Sequence, residues 1–171
     1  MEAIRPLETA DAEDLAALVA RNRDFMAPFD PVHDERYFTV DGQRERLEAL
    51  ARDRGGDRKY GYAILDDGAV AGTVFVSNVV RGAFHSANIG YSVDQARNGR
   101  GLATAAVAAI AREAFGALGL HRLEAGTLVD NVRSQRVLER NAFTRIGLAP
   151  RYLRIAGEWR DHILFQRTAE D

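Results

Sequence analysis

Asn98-Gly99-Arg100-Gly101-Leu102-Ala103, preceded by Arg97, is the stretch whose residue types and spacing are best suited to chemistry, and that chemistry is the holding of a phosphate. Gly99 and Gly101 let the backbone curl and bring its amides against an anion with no side chain in the way. Leu102 opens an alanine-rich helical pattern, and the first amides of a helix lack internal partners and sit at the positive end of its dipole. Arg97 and Arg100 add mobile charge that can bond phosphate oxygens. The spacing excludes two familiar phosphate loops. A Walker loop requires Gly-Lys followed by Ser or Thr, and the only lysine, Lys59, lies elsewhere; a dinucleotide fingerprint requires a third glycine where Thr104 stands. An ordinary glycine-rich turn from strand to helix is the remaining alternative to an anion site.

A loop of this kind works between a strand that delivers it and a helix that backs it. Residues 60–65, the turn signal Asp66-Asp67-Gly68, residues 69–80, the turn Arg81-Gly82-Ala83 and residues 84–93 read as an antiparallel meander leading into the loop. Residues 101–118 read as the helix, with Val107, Ile110, Ala114 and Phe115 as apolar surface, small alanines allowing close packing on a sheet, and Gly119 as its stop. Upstream, residues 2–7 predict a strand, Thr9 or Asp11 caps a helix striped by Leu15, Leu18 and Val19, and Asp41 caps a second helix over residues 41–54 with Leu47 and Leu50 facing inward. Downstream come a strand over residues 121–127, a short helix ending near Arg140, and a hairpin of residues 144–155 and 158–167 joined at Ala156-Gly157. Asn22 to Phe38 carries two prolines and four aromatics, too irregular for one helix and too apolar for a solvated linker. It either plugs onto the core or makes a substrate-side wall from Phe25, Phe29 and Tyr37.

Composition bounds the rest. A chain of 171 residues, 46% apolar, is expected to form one domain spanning residues 1–171. A formal charge of −2 gives no bulk attraction to nucleic acid or to an acidic membrane, and no stretch nears the roughly 20 apolar residues that span a bilayer. With no cysteine, disulfides and thiolate metal sites are excluded, which fits a cytoplasmic location. His85 and His121 lack ligand spacing, so no metal is expected.

The loop resembles the pyrophosphate loop of the GNAT acetyltransferases, Gln/Arg-x-x-Gly-x-Gly/Ala, with Asn98 at the first position. Asn131-x-x-Ser134, followed by Val137 to Phe143, resembles the family's second motif, except that Asn141-Ala142-Phe143 stands where Gly-Phe is usual. Within the family the chain is most similar to the ribosomal-protein alanine N-acetyltransferases and their RimJ branch. The carriers are Asn22-Arg23 with Pro28 and Asp34-Glu35, Ser77 to His85, Gly90-Tyr91-Ser92, His121-Arg122 and Gly157 to His162, so the likeness covers about residues 22–165. It implies a GNAT-like α/β fold, a mixed and largely antiparallel sheet of about seven strands flanked by about four helices. It also implies acetyl transfer from acetyl-CoA to an amine, typically the N-terminal α-amine of a protein such as a ribosomal protein, by a monomer or homodimer. By the same resemblance the pyrophosphate lies on Asn98, Gly99, Arg100, Gly101, Leu102, Ala103 and Thr104, the pantetheine arm runs beside Tyr91, Ser92 and Val93, and Asn131 holds its amides.

That reaction needs a free amine, a polarised thioester carbonyl and a proton for the leaving thiolate. Many relatives place a Glu where Asn88 stands and a Tyr acid where Leu138 stands. Ser134 is the local replacement as donor to the sulfur, or else a cap of the short helix; Glu124 is a candidate base, or else a paired structural carboxylate. Trp159 and Asp161 in the last hairpin, with Phe29 and Tyr37, are candidates to line the acceptor cleft. An α-amine has a pKa near ~7.8 against ~10.4 for lysine, so freeing a lysine costs about 3.5 kcal/mol more, and a site without the usual Glu suits an N-terminal amine. Acetylation of a small amine such as a polyamine, amino sugar or antibiotic is the alternative enzyme reading, and a noncatalytic acyl-CoA binder the alternative of another class.

Overall fold

Alternation along the central strands sends side chains to two different cores. On β2 (Tyr60–Asp66), Tyr62 and Ile64 face one way and Ala63 the other, as the two-residue period of a strand dictates. In the computed structural model, which describes residues 3–169, β2 belongs to a seven-stranded sheet with β1 (Ile4–Pro6), β3 (Ala69–Val80), β4 (Ser86–Val93), β5 (Arg122–Leu128), β6 (Thr144–Ile155) and β7 (Glu158–Thr168). The order is β1-β2-β3-β4-β5-β7-β6, antiparallel throughout except between β4 and β5. Two-residue turns at Asp67-Gly68 and Ala156-Gly157 close the hairpins, and all four residues have positive φ, as turns matched to strand twist require.

Helix α4 (Leu102–Phe115) covers one face. Its Ala106, Val107, Ile110, Ala111 and Ala114 are wholly buried against Ile64, Val74, Val76, Ile89 and Leu123. The small alanines seat the helix low on the sheet, and α5 (Val132–Arg140) extends this layer through Leu138, also wholly buried. Helices α1 (Ala12–Arg21) and α3 (Val40–Gly55) cover the other face, where Leu15, Leu18, Leu47 and Leu50 meet Ala63 and Phe75. One extra turn of helix, α2 (Arg23–Met26), follows α1. The fold is therefore the expected mixed α/β sheet of seven strands with four longer helices.

The boundaries differ in instructive ways. The cap of α3 is Thr39, whose hydroxyl accepts from Gly42 N at 3.1 Å; Asp41 sits inside the first turn. The long helix ends at Phe115 rather than Leu118, because Gly116 leaves helical geometry and Leu120 N reaches back to Ala114 O at 2.9 Å; Gly119, φ 59°, shapes the turn beyond it. Asp11 stands at the start of the first helix but makes no capping bond to it; its carboxylate accepts from Glu8 N at 2.9 Å, in the turn before the helix, while Arg5 grips it. The opening strand is described from Ile4, and Glu2, also assigned to it from sequence, lies outside the described residues.

Candidate active site

The one parallel pair in the sheet opens the site. β4 and β5 pair only where Ser86, Ala87 and Asn88 meet Arg122, Leu123 and Glu124; beyond that, Ile89–Val93 and Ala125–Leu128 part around a cleft of about 1010 Å³. The loop after β4 and the first turn of α5 complete its walls. Gly99 and Gly101 have φ of 82° and 78°, and no heavy atom lies within 4 Å of the place a Cβ would occupy on either, so their backbone is open on that side. Asn98, Leu102, Ala103 and Thr104 also line the cleft, whereas Arg100 does not. Arg97 and Arg100 are not mobile charges. Both bond Asp66 Oδ2, at 2.8 and 2.5 Å, and Asp66, despite its desolvation, is held below the usual carboxylate range by those hydrogen bonds. Two guanidinium groups share one carboxylate, so the loop keeps a net positive charge.

On the opposite wall, Asn131 Oδ1 caps α5 by accepting from Ser134 N at 3.2 Å. Ser134 is thus not the cap, and its hydroxyl is spent elsewhere: Ser134 Oγ lies 2.8 Å from the Tyr91 hydroxyl, which is also within reach of Ser134 O at 3.2 Å. Burial pushes the Tyr91 hydroxyl up to about 12, its bond to Ser134 opposing, so this pair stays protonated at neutral pH. Tyr91 has a single proton, which goes either to Ser134 O, with Ser134 Oγ then donating to Tyr91, or to Ser134 Oγ, and in the second arrangement the Ser134 proton can point into the cleft. Thr127 Oγ1, on the facing strand, is the one buried side-chain oxygen or nitrogen among the described residues that has no hydrogen-bond partner. The residue lines the same cleft, with this oxygen turned away from its open space.

A second cavity of about 510 Å³ lies under α1, α3 and the segment between them, and Met26, Asp30, Ser92 and Val93 line both spaces. Asp30 is the ionisable member of that junction. Its carboxylate makes no side-chain hydrogen bond among the described residues, the nearest charged partner being His33 Nε2 at 3.9 Å. Burial raises its pKa, with His33 and Arg46 opposing. His33 stacks flat on Tyr37, centroids 3.7 Å apart, and burial lowers the imidazole's pKa against the pull of Asp30.

A cleft between parted parallel strands, with an open glycine loop at one end and a second cavity meeting it, has room for two substrates. The family described as acetyltransferase (GNAT) domain matches residues 3–144. The chain belongs to the GNAT acetyltransferases.

A [ribosomal protein uS5]-alanine N-acetyltransferase of Escherichia coli (strain K12) is 36% identical to this GNAT chain over 170 residues, 98% of this chain and 88% of that protein. The crystal structure of a ribosomal-protein-S5-alanine acetyltransferase from Vibrio fischeri has a TM-score of 0.94 to it at 33% identity, covering 98% of this chain and 93% of that one. Mycobacterium smegmatis RimJ in complex with CoA-disulfide gives a TM-score of 0.94 at 34% identity, covering 97% and 81%.

GNAT enzymes use acetyl-CoA, which supplies an acetyl group activated as a thioester. The residues of this GNAT chain fit it: the bared amides around Gly99 and Gly101 can take a diphosphate, and the β4 edge left by β5 can take the amides of an extended arm. Of the residues singled out from sequence, Tyr91, Ser92, Val93, Asn131, Ser134 and Phe29 line this cleft and Tyr37 the second cavity. Glu124, Trp159 and Asp161 line neither. Glu124 pairs with Arg122, two residues earlier on the same face of β5; Asp161 accepts from Arg151 N at 2.8 Å within the last hairpin; and Trp159 is 55% exposed on it. Sequence reasoning missed Asp30, Met26 and the role of the Tyr91 hydroxyl. The irregular Pro-rich segment was the only signal pointing to the first two.

Proposed function

We propose that the chain transfers the acetyl group of acetyl-CoA to the N-terminal α-amine of a protein that begins with a small residue such as Ala or Ser, a ribosomal protein being the class its relatives' names specify. The observation that carries this reading is the meeting of the two cavities at Asp30, a carboxylate with no hydrogen-bond donor of its own beside the strand edge where the acetyl donor lies. The diphosphate rests on the amides of Gly99 to Thr104, that of Asn98 being spent on Gln95 O at 3.2 Å; the extended arm pairs with Tyr91 to Val93, and Asn131 offers its Nδ2 to that arm. Asp30 receives the ammonium and takes its proton. At pH near ~7.5 roughly a third of an α-amine is already neutral, so a carboxylate base suffices where a lysine would need far more help. Ser134, backed by Tyr91, gives the sulfur its proton. The reaction belongs in the cytoplasm, where new protein N-termini emerge.

Two measurements test this. A peptide with a free α-amine and blocked lysine is expected to be acetylated, and its counterpart with a blocked α-amine and free lysine is not; preference for the lysine, or turnover of polyamines alone, would overturn the α-amine reading. Ser134→Ala is expected to reduce kcat about 10²-fold, the ordinary worth of a positioned proton donor, with acetyl-CoA affinity by titration calorimetry little changed. An unaltered thiol-release rate removes Ser134 from the mechanism.

A further inference from the structure

We propose that the second cavity also reads negative charge on the acceptor: Arg46 and Lys59 form a cationic pole, apart from Asp30, that selects acceptors carrying an acidic side chain within the first few residues after the amine. This rests on the α-amine reading and specifies the substrate class further.

The cavity has carboxylates and cations on its walls, and they are unequally satisfied. Asp94 is bonded by Arg21 and Asn22, Asp53 by Arg58 at 3.0 Å, and Arg23 by both oxygens of Glu35 at 2.9 and 2.5 Å. Arg46 and Lys59 have no carboxylate within 4.0 Å and no hydrogen bond among the described residues. Each is instead held over an aromatic face, the Arg46 guanidinium 4.5 Å from the Tyr37 ring centre and the Lys59 ammonium 4.8 Å from that of Phe75. Such stacking fixes where a cation sits and leaves its N–H donors unspent. Lys59 is half-buried, and burial first and Arg46 second act against its charge, outweighing the support of Asp53, so an anion between the two cations relieves both. The remaining walls are apolar, with Leu15, Leu18, Leu47, Leu50 and Phe38 among them, which deepens the discrimination by lowering the local polarity.

The geometry orders the acceptor. Its ammonium end sits at Asp30, the one charged group shared with the acetyl-donor cleft, and the chain that follows runs into the cavity, each residue advancing it by about 3.3–3.6 Å when extended. An acidic side chain soon after the amine then meets Arg46 and Lys59. An amine followed by basic residues meets the same two cations with repulsion, so the pair rejects as well as selects.

The test uses Ala-starting peptides that differ only in carrying Glu, Gln or Lys at positions two to four, assayed with the full-length protein and with Arg46→Gln, Lys59→Gln and the double variant. In the wild type the best Glu peptide is expected to exceed its Gln twin in kcat/KM by about tenfold and to bind the CoA-loaded protein correspondingly more tightly, with the ratio shrinking as salt is raised. The ratio is expected to fall toward one in the double variant; because it compares two peptides on one protein, it is insensitive to how much of a variant is active. Equal Glu and Gln peptides in the wild type, or a preference that persists in the double variant, overturns the proposal while leaving the α-amine reading intact. Failure to acetylate any of the peptides overturns both, and acetylation of all of them at one rate overturns only this one.

Discussion

Replacing Asp30 by Asn is expected to lower kcat/KM toward an α-amine by roughly two to three orders of magnitude, within the range of a positioned general base, while acetyl-CoA affinity stays close to that of the parent. The carboxylate lies where the two cavities meet, it has no hydrogen-bond donor of its own, and an arriving ammonium supplies the missing counter-charge. Burial raises its pKa above the usual 3.8, so the acid limb of the kcat/KM profile is expected at higher pH than a free aspartate would give, and to vanish in the Asn variant. The stability sign is opposite to that of a structural ion pair. With the folded pKa above the unfolded one, the folded state binds more protons across the window between the two values, so stability falls as pH rises through that window and the deficit persists at pH 7. Asp30→Asn is therefore expected to be at least as stable as the parent in thermal melts at pH 7. A variant that loses activity together with stability would make Asp30 a structural residue.

The contrast between the two ends of the site explains what the sequence could convey. The anion loop is a local device: Gly99 and Gly101 take positive φ where the chain that leaves β4 at Val93 turns into α4, and their spacing prints that need in neighbouring residues. The same holds for Asp67-Gly68 and for Asn131, which caps the helix that begins one residue later. Ala142 is a local departure with a visible cost, since it holds φ 60° where the family motif has glycine. The catalytic end is assembled from distance. Tyr91 and Ser134 meet across 43 residues, and no period or motif records that a strand hydroxyl will face a helix serine. Arg97 and Arg100 look like free phosphate ligands until Asp66, over 30 residues earlier, is folded against them. Glu124 looks like a base until β5 places Arg122 beside it. Asp30 lies in the least regular stretch of the chain, which is fastened by Asn22 to Gln95 N and at Asp30 itself, whose backbone carbonyl accepts from Ala156 N at 2.9 Å; those distant ties set it at the junction of two cavities.

That fastening has a centre, and removing it is expected to be the costliest single polar substitution outside the catalytic groups. Asp94 is 5% exposed and accepts from Arg21 Nε at 2.9 Å, Asn22 Nδ2 at 3.1 Å and Ala96 N at 3.3 Å, while Asn22 Oδ1 takes Gln95 N at 2.8 Å. One carboxylate thereby ties the end of α1 to the chain entering the anion loop. Asp94→Ala leaves Asn22 Nδ2 short of one acceptor and the Arg21 charge without its partner; breaking a buried pair costs about 3–5 kcal/mol, and the partial exposure of Arg21 brings the expectation to about 2–3. For a chain of this size that is a fall of roughly 5–10 °C in Tm. The pH dependence follows its own sign. Desolvation raises the Asp94 pKa, but the hydrogen bonds from Arg21 and Asn22 outweigh it and hold the carboxyl low, so its stabilisation is present above the unfolded value of about 3.9 and is lost as pH falls through the lowered folded one. The Ala variant should therefore lose stability at neutral pH and show a shallower acid limb than the parent. Acetyl-CoA affinity is expected to weaken with it, because Gln95 to Arg97 no longer hold the loop against α1. An unchanged Tm with weakened affinity would make Asp94 a ligand-side residue; an unchanged affinity with lowered Tm would show that the loop keeps its shape without the tie.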